Sequence, residues 1–366
     1  MTATLRFVDL TPGEDDAAVR AAIAKVVERG WFVLGPEVEA FEAEFARESG
    51  GRHAVGVGNG TDALALILRA AGIGRGDEVI VPAITAAYTG LAVLMVGAAP
   101  VFADVLADTL SIDPRSAAAA VTSRTAAIVP VHLYGHPADM HAVGEVAQRH
   151  GLAIVEDCCQ AHLATAGGAP VGTLGLGGAF SFYPTKNLGA LGDGGAVLTG
   201  DATLAARVRR LRNGGQADRY HHDEAGVNSR LDELQAAVLR ARLPFLRNWT
   251  AARRARAASY RAALPSSVPL AERDSGHVYH LFPVRSANRD ALQAHLASAG
   301  VETLVHYPVP LPRQRAFATS AAQPCDRADR AARELLSLPL NPRLVDADIA
   351  RVAGAVAEFE KGRTFA

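Results

Sequence analysis

The sequence has few cysteines and no long hydrophobic run. Its three cysteines, two of them adjacent at Cys158 and Cys159, do not suit a disulfide framework or a metal site with CxxC spacing, and no metal is predicted. Small buried hydrophobic side chains are their expected role. No segment is both apolar and long enough to cross a bilayer, and the N-terminus, with Arg6, Asp9 and Glu14, has no secretory signal. These absences predict a cytoplasmic protein without a membrane partner.

The chain also lacks an excess of charge of either sign. Its 366 residues include 37 basic and 38 acidic side chains, a formal net charge of -1. Such a protein has no basic field with which to hold nucleic acid or an anionic membrane, so any phosphate must be bound locally. With 49% apolar and 20% charged residues, the composition is that of a globular protein. The length favours two domains.

Apolar runs of strand length alternate with helix-period stretches between about residues 50 and 200. This alternation predicts an α/β fold in which helices cover a mixed, mostly parallel sheet. The predicted strands are 53–57, 78–81, 101–103, 126–131, 152–155, 179–183 and 196–199. A helical region at 231–264, broken at Pro244, leads to a strand at 278–284, a helix at 289–298 and a strand at 301–305. The pattern therefore predicts a large domain over 1–245, with an N-terminal arm at 1–25, and a smaller α+β domain over 246–366.

Lys186 lies between two apolar runs that are predicted to be buried strands, and Asp157 ends the strand before them. A lysine and an acid so placed suggest a pyridoxal phosphate enzyme, in which the lysine carries the cofactor as an imine and the acid keeps the pyridine nitrogen protonated. The alternatives are a lysine whose stem packs while its head reaches water, and an acid that caps the next helix. Glycines at 189, 192, 194 and 195 favour the first interpretation, because they imply a tight turn under a ligand.

A glycine-punctuated turn at 58–62 joins a predicted strand to a predicted helix. Its unpaired N–H groups and the positive end of the helix dipole would face one point, which suits a phosphate. A helix N-cap by Asn59 or Thr61 explains the same residues equally well. Gly56 and Gly58 also have the spacing of a dinucleotide-binding loop, although Thr61 stands where such a loop has its third glycine. A nicotinamide-dependent oxidoreductase is therefore an alternative, and it would depend on this turn alone.

Together these segments resemble the DegT/DnrJ/EryC1 family of sugar aminotransferases, from about residue 30 nearly to the end. The likeness rests on the motifs at 58–64, 131–135, 156–162, 181–195, 226–230 and 306–308. It implies the fold-type I architecture, with pyridoxal phosphate as cofactor. By position it implies Lys186 as the imine lysine, Asp157 on the pyridine nitrogen and Gln160 on the ring oxygen. It further implies that the phosphate is held by Gly60, Thr61, Asp62, Ser181 and, from a second subunit, Asn228.

Because Asn228 would come from a second subunit, the resemblance implies that a homodimer is the smallest active unit.

Two departures from the family pattern concern cofactor contacts. Alanines at 86 and 87 follow Thr85, where the family commonly has an aromatic residue that stacks on the pyridine ring. Tyr88 either serves instead or packs in the core. Ser229 stands where the family often has tyrosine.

The lysine motif at 182–195 resembles members that aminate carbon 3 of nucleotide-linked 3-keto-6-deoxyhexoses, in deoxyaminosugar biosynthesis. Members acting at carbon 4 more often have histidine near position 183 and glutamate at position 193. L-Glutamate is the expected amino donor. Candidates for contact with sugar or diphosphate are His132, Tyr183, His306 and Tyr307. The alternatives are a carbon-4 aminotransferase, a sugar dehydratase, whose family members carry histidine at the lysine position, and a sugar-binding regulatory relative without catalysis.

Overall fold

The computed structural model describes residues 4–11, 13–265 and 268–361. Its helices are α1 (Asp16–Arg29), α2 (Pro36–Glu48), α3 (Gly60–Ala70), α4 (Ala87–Met95), α5 (Pro114–Ala119), α6 (Met140–His150), α7 (Ala202–Leu211), α8 (Glu233–Arg242), α9 (Leu246–Ala263), α10 (Arg289–Ser298), α11 (Asp326–Glu334) and α12 (Asp346–Lys361). Its strands are β1 (His53–Val57), β2 (Glu78–Pro82), β3 (Ala99–Ala103), β4 (Thr125–Ile128), β5 (Ala153–Asp157), β6 (Thr165–Ala166), β7 (Ala169–Pro170), β8 (Gly177–Ser181), β9 (Gly195–Thr199), β10 (Phe282–Arg285), β11 (Ala321–Ala322) and β12 (Leu335–Leu338). None of these helices has the length and apolarity needed to cross a bilayer.

Eight strands form one sheet in the order β1-β9-β8-β5-β4-β2-β3-β11. The pairs β1–β9 and β9–β8 are antiparallel, and the other neighbours are parallel. The predicted α/β class with a mixed, mostly parallel sheet is confirmed. The carboxyl ends of β5 and β8 lie side by side, and ligands of open α/β sheets bind at such ends. Asp157 ends β5 and Ser181 ends β8.

Helices cover both faces of this sheet. Val79 and Val81 pack in one hydrophobic cluster with α3 and α4, whereas Ile80 between them packs in another cluster with α5 and α6. Because alternate residues of a strand point to opposite faces, this division places a helical layer on each side. A third cluster is rich in aromatic rings, and in it Phe45 of α2 packs edge to face on Phe180 at 5.1 Å between ring centroids.

The C-terminal part has its own core around the antiparallel pair β10–β12, packed by α9, α10 and α12. The predicted strand at 278–284 begins only at Phe282. The predicted strand at 301–305 is wrong: Val301 and Leu304 form single bridges, to Leu5 and Ser337, because the N-terminal segment occupies one of its edges. The predicted break at Pro244 is confirmed, since a short 3₁₀ turn separates α8 from α9.

The domain boundary at 245/246 stays a prediction, and segments on each side of it contact the core on the other side. β11 pairs with β3 of the large sheet, and Phe317 packs edge to face on Phe102 with 5.4 Å between ring centroids. In the opposite direction, Leu5 packs against the C-terminal core. The chain therefore crosses between the two cores more than once.

Candidate active site

A cavity of about 950 Å³ is lined by residues from both cores and from the N-terminal segment. Its lining contains five of the residues predicted from sequence, namely Gln160, Tyr183, Lys186, His306 and Tyr307. Asp157 and Ser181 end neighbouring strands beside it, and the Asp157 charge acts on Lys186. The structure thus gathers at one end of the large sheet residues that lie far apart in the chain.

Lys186 follows β8 in a tight turn, where its backbone N–H donates to the carbonyl of Tyr183 at 2.8 Å. Gly189 closes the turn, and a Cβ at this position would lie 2.5 Å from the carbonyl oxygen of Pro184, so a larger residue cannot occupy it. Burial lowers the pKa of Lys186 from its ordinary 10.5, against the opposing effects of Cys159 and Asp157. A lowered pKa makes the neutral, nucleophilic amine easier to form.

Asp157 is buried, and its carboxylate is fixed by two donors. Thr89 of α4 donates its hydroxyl hydrogen to Oδ2 at 2.8 Å, and the backbone N–H of Cys159 donates to Oδ1 at 3.1 Å. The hydroxyl of Thr85 lies 3.3 Å from that of Thr89 and extends the chain of polar groups. A carboxylate held in this way keeps one orientation and remains an acceptor.

Gln160 is oriented by hydrogen bonds at both ends of its amide. Its Oε1 accepts the backbone N–H of Tyr134 at 2.6 Å, and its Nε2 donates to the hydroxyl of Tyr307 at 2.8 Å. Because the oxygen is used by a backbone donor, the NH₂ group faces Tyr307 in the cavity wall, with one N–H left for a ligand. Burial raises the pKa of Tyr307, so its hydroxyl keeps its proton.

The glycine turn carries the N-cap of α3. The Oδ1 of Asn59 accepts the backbone N–H of Asp62 at 2.9 Å, and Ser229 donates its hydroxyl to Oδ2 of Asp62 at 2.6 Å. Asp62 is one of the residues predicted to hold the phosphate, but both its N–H and its carboxylate are already bonded within the protein. No acceptor within the described residues bonds the N–H of Gly60 or Thr61, so these two remain the donors for an anion.

Ser181 and Gly60 face each other closely. A Cβ on Gly60 would lie 2.9 Å from the Cβ of Ser181 and 2.6 Å from the Sγ of Cys159. The helix N-terminus can thus approach the end of β8 only because Gly60 has no side chain. Burial raises the pKa of the Cys159 thiol, which keeps it protonated beside this contact. The N-terminus of α3 and Ser181 at the end of β8 consequently belong to one small region.

The predicted sugar contacts separate into two groups. Tyr183, His306 and Tyr307 line the cavity. The Nδ1 of His306 lies 3.0 Å from the hydroxyl of Ser337, and burial followed by the charge of Lys186 lowers its pKa to about 4, so this imidazole is neutral at pH 7.

His132 does not line the cavity. It is fully buried, its Nδ1 accepts the N–H of Ala138 at 3.1 Å, and its Nε2 therefore donates to Oε2 of Glu156 at 3.1 Å. With Cys158 these two make the group of potential metal ligands found among the described residues. Glu156 also accepts the N–H groups of Gly172, Leu174 and Gly175. The cluster is a completed hydrogen-bond network, and we assign His132 no contact with substrate.

Two further predicted cofactor contacts lie at the surface. Tyr88 is 64% exposed at the start of α4, so the alternative that it packs in the core is wrong. Asn228 is also exposed, and it forms a single bridge with Asn213. Contact of Tyr88 with the cofactor ring, and of Asn228 with a neighbouring subunit's phosphate site, stay predictions.

Several residues of the site were not identified from the sequence. Thr89 had no usable signal, because its partner Asp157 is 68 positions away in the chain. The N–H of Tyr134 and the guanidinium of Arg253 likewise had no signal in the sequence, because each donates hydrogen bonds to groups that are distant in the chain. Arg253 lines the same cavity as Lys186.

The sequence profile of the DegT/DnrJ/EryC1/StrS aminotransferase family matches residues 14–357. A dTDP-3-amino-3,4,6-trideoxy-α-D-glucose transaminase from Streptomyces venezuelae is 50% identical over 366 residues, covering 98% of this chain and 97% of that protein. A UDP-N-acetyl-3-dehydro-α-D-glucosamine 3-aminotransferase from Acidithiobacillus ferrooxidans is 46% identical, covering 92% of each chain.

Solved structures give the same result. The crystal structure of S. venezuelae DesV in complex with a ketimine intermediate superposes with a TM-score of 0.94 at 49% identity, over 98% of this chain and 99% of that one. Bacillus subtilis NtdA, with bound cofactor PMP, superposes with a TM-score of 0.92 at 29% identity, over 99% of this chain and 86% of that one.

Proposed function

Because this chain belongs to the DegT/DnrJ/EryC1/StrS aminotransferase family, we propose that it is a pyridoxal phosphate-dependent enzyme that transfers an amino group to carbon 3 of a nucleotide-linked keto-deoxyhexose. The family and the enzyme class predicted from the sequence are confirmed. The observation that carries the proposal is that Lys186 and Gln160 line one cavity, while Asp157, held by Thr89, ends β5 beside it and its charge acts on Lys186.

The choice of carbon 3 is supported by the relatives' names. Two proteins that are 50% and 46% identical over nearly the whole chain are named for an amino group at carbon 3 of a nucleotide sugar. They differ in the nucleotide, dTDP in one and UDP in the other, so the shared element is the keto position rather than the base. The lysine motif at 182–195 had suggested the same carbon.

The side chains present fit the cofactor. When bound, pyridoxal phosphate withdraws electrons from the carbon that carries the amino group, so that its proton can leave. Lys186, whose burial favours the neutral amine, would hold the cofactor covalently and, once released, would carry the proton to and from that carbon with its Nζ. Asp157, fixed by Thr89, would keep the pyridine nitrogen protonated. Gln160 would donate its remaining N–H to the ring oxygen.

The phosphate would be held by the N–H groups of Gly60 and Thr61 and the hydroxyl of Ser181. In the homodimer that we propose, Asn228 of the second subunit would complete this site. The exposed aromatic side chains of the segment before α2 support the same assembly, because Trp31 is 54% and Phe32 is 47% exposed. Such neighbouring apolar surface is typical of an interface. L-Glutamate is the proposed amino donor and the cytoplasm the proposed location.

The test is incubation of the purified, cofactor-loaded protein with L-glutamate and a panel of 3-keto and 4-keto nucleotide sugars, with release of 2-oxoglutarate as the readout. We expect turnover with a 3-keto-6-deoxyhexose. Indifference to every keto sugar would refute the substrate class, and preference for the 4-keto series would refute the carbon assignment.

A second measurement isolates the lysine. The chain contains three lysines, Lys25, Lys186 and Lys361, so borohydride reduction followed by peptide mapping separates them cleanly. We expect the label on Lys186, and a colourless Lys186→Ala protein that converts no substrate. Lys25→Ala is the matched control, because its side chain is 61% exposed on α1 and is not part of the cavity lining. Label at another lysine would contradict the mechanism.

A further inference from the structure

Arg253 is a buried cation without an acid partner. It lies on α9 and is 7% exposed, and its Nη1 donates to the carbonyls of Leu340, Tyr279 and His280 at 2.9, 3.2 and 3.3 Å. Its Nε has no hydrogen-bond partner among the described residues, and no described carboxylate lies within salt-bridge distance of it. Burial lowers the pKa of Arg253 to about 10, so it is charged at pH 7.

A purely structural role does not account for this arrangement. A structural hydrogen bond to a backbone carbonyl needs only one or two donors. The exposed Arg254, next to Arg253 in the chain, already makes such a bond, from its Nε to the carbonyl of His277 at 2.9 Å. A guanidinium has five N–H donors, and burying its charge without a counter-ion is costly. The residue is therefore suited to an anion that arrives from the cavity it lines.

The charges around the cavity point to the same conclusion. The acids in its lining are already bonded: Asp15 to Arg242 at 2.8 Å, Asp9 to Arg343 at 3.4 Å, and Glu14 to the indole N–H of Trp249 at 2.7 Å. Burial, then the charges of Lys186 and Arg253, lower the pKa of His280 well below its usual range, and this side chain therefore offers no charge of its own. Arg253 is thus an uncompensated positive charge that acts on the same imidazole as Lys186.

We propose that Arg253 forms a carboxylate subsite, which takes the side-chain carboxylate of a dicarboxylic amino donor while the donor's amino group reacts beside Lys186. A carboxylate oxygen can accept a charge-assisted N–H bond from Nη2 of the guanidinium fork, since Nη1 already bonds carbonyls and Nε is buried. The sugar nucleotide's diphosphate is bulkier and remains attached to a hexose and a nucleoside, so a side chain that is only 7% exposed suits it less well than it suits a small carboxylate. This inference rests on the function proposed above.

The experiment compares Arg253→Met, Arg253→Lys and the neighbouring control Arg254→Met in the cofactor-loaded enzyme. Glutarate, which has both carboxylates but no amino group, is the binding probe, measured by calorimetry beside thymidine diphosphate. We expect Arg253→Met to weaken glutarate binding by about 10- to 100-fold, as for loss of a charge-assisted hydrogen bond, and to leave thymidine diphosphate unaffected. Arg254→Met should bind both probes as the wild type does.

The half-reaction gives a second readout. The wild type should prefer L-glutamate to L-2-aminopentanoate, which replaces the distal carboxylate by a methyl group, and Arg253→Met should lose that preference through a higher KM. If Arg253→Met does not fold, Arg253→Lys keeps the charge but not the fork, and its glutarate affinity should fall by about 3- to 10-fold. Unchanged glutarate affinity in every folded Arg253 variant, or weakened binding of thymidine diphosphate instead, would overturn the subsite.

These results are separable from a failure of the proposed function. An enzyme that aminates keto sugars but binds no glutarate and uses no dicarboxylic donor would refute the subsite alone. An enzyme that binds glutarate through Arg253 but aminates no keto sugar would retain the subsite and refute the substrate class.

Discussion

The hydroxyl of Thr89, at the sheet-facing side of α4, donates a hydrogen bond to Oδ2 of Asp157 at 2.8 Å. The two residues are 68 positions apart, and the contact joins a helix to the end of the central strand β5. It fixes the acid that we propose for the pyridine nitrogen. The orientation of the Asp157 carboxylate consequently depends on a residue that itself touches no reacting atom.

Replacement of Thr89 by valine should lower kcat/KM by about 10-fold, because a buried carboxylate loses one of its two donors at nearly constant side-chain volume. Steady-state kinetics and a spectral titration with pyridoxal phosphate would measure the loss. Thr89→Ser keeps the hydroxyl and should restore most of the activity. Equal defects in the valine and serine variants would show that packing, and not the hydrogen bond, is what matters.

Gly60→Ala should weaken cofactor binding by about 10-fold or more, because the new Cβ would lie 2.6 Å from the Sγ of Cys159 and 2.9 Å from the Cβ of Ser181. The measurement is the dissociation constant of pyridoxal phosphate from its absorbance. Gly144→Ala is the matched control, since no atom lies within 4 Å of a Cβ placed there in α6. Unchanged cofactor affinity in Gly60→Ala would argue against a phosphate at this turn.

Lys186 should make the stability of the cofactor-stripped protein depend on pH. Burial holds its folded pKa below the ordinary 10.5, so between those two values the unfolded chain binds the proton more readily. The free energy of unfolding must therefore rise with pH across that window. Lys186→Met cannot titrate. We expect it to be the more stable protein in urea unfolding at pH 7, with a difference that shrinks as the pH approaches 10.5. A pH-independent difference would contradict the direction of the shift.

Glu233 of α8 caps α2 from a distance. Its Oε1 accepts the N–H groups of Val38 and Gly35 at 2.8 and 3.0 Å, and its Oε2 accepts that of Glu37 at 3.0 Å. Glu233→Ala leaves these buried donors unpaired and should lower the free energy of unfolding by about 3 kcal/mol. Urea unfolding measures this loss. The exposed Glu39→Ala should change stability by no more than about 0.5 kcal/mol. A similarly small effect at Glu233 would mean that water replaces the cap.

The sequence was sufficient where structure is local. The sequence predicts the strand at 53–57 and the helix at 289–298 with the bounds that are observed, and the candidate N-cap Asn59 does accept the N–H of Asp62. Prediction failed at 301–305, because the partners of that segment are Leu5 and Ser337, which no nearby residue specifies. The carbon-3 assignment came from a motif and agrees with the relatives.

Alternation of apolar runs by itself determined the α/β class, and the motif around Lys186 indicated the family, since periodicity and turn residues act within a few positions of the chain. Only the tertiary structure decided that His132 is closed into a network with Glu156, and that Arg253 meets carbonyls of 279, 280 and 340 beside the cavity. Contacts of this kind form when distant segments pack against each other, and their partners leave no periodic trace in the sequence.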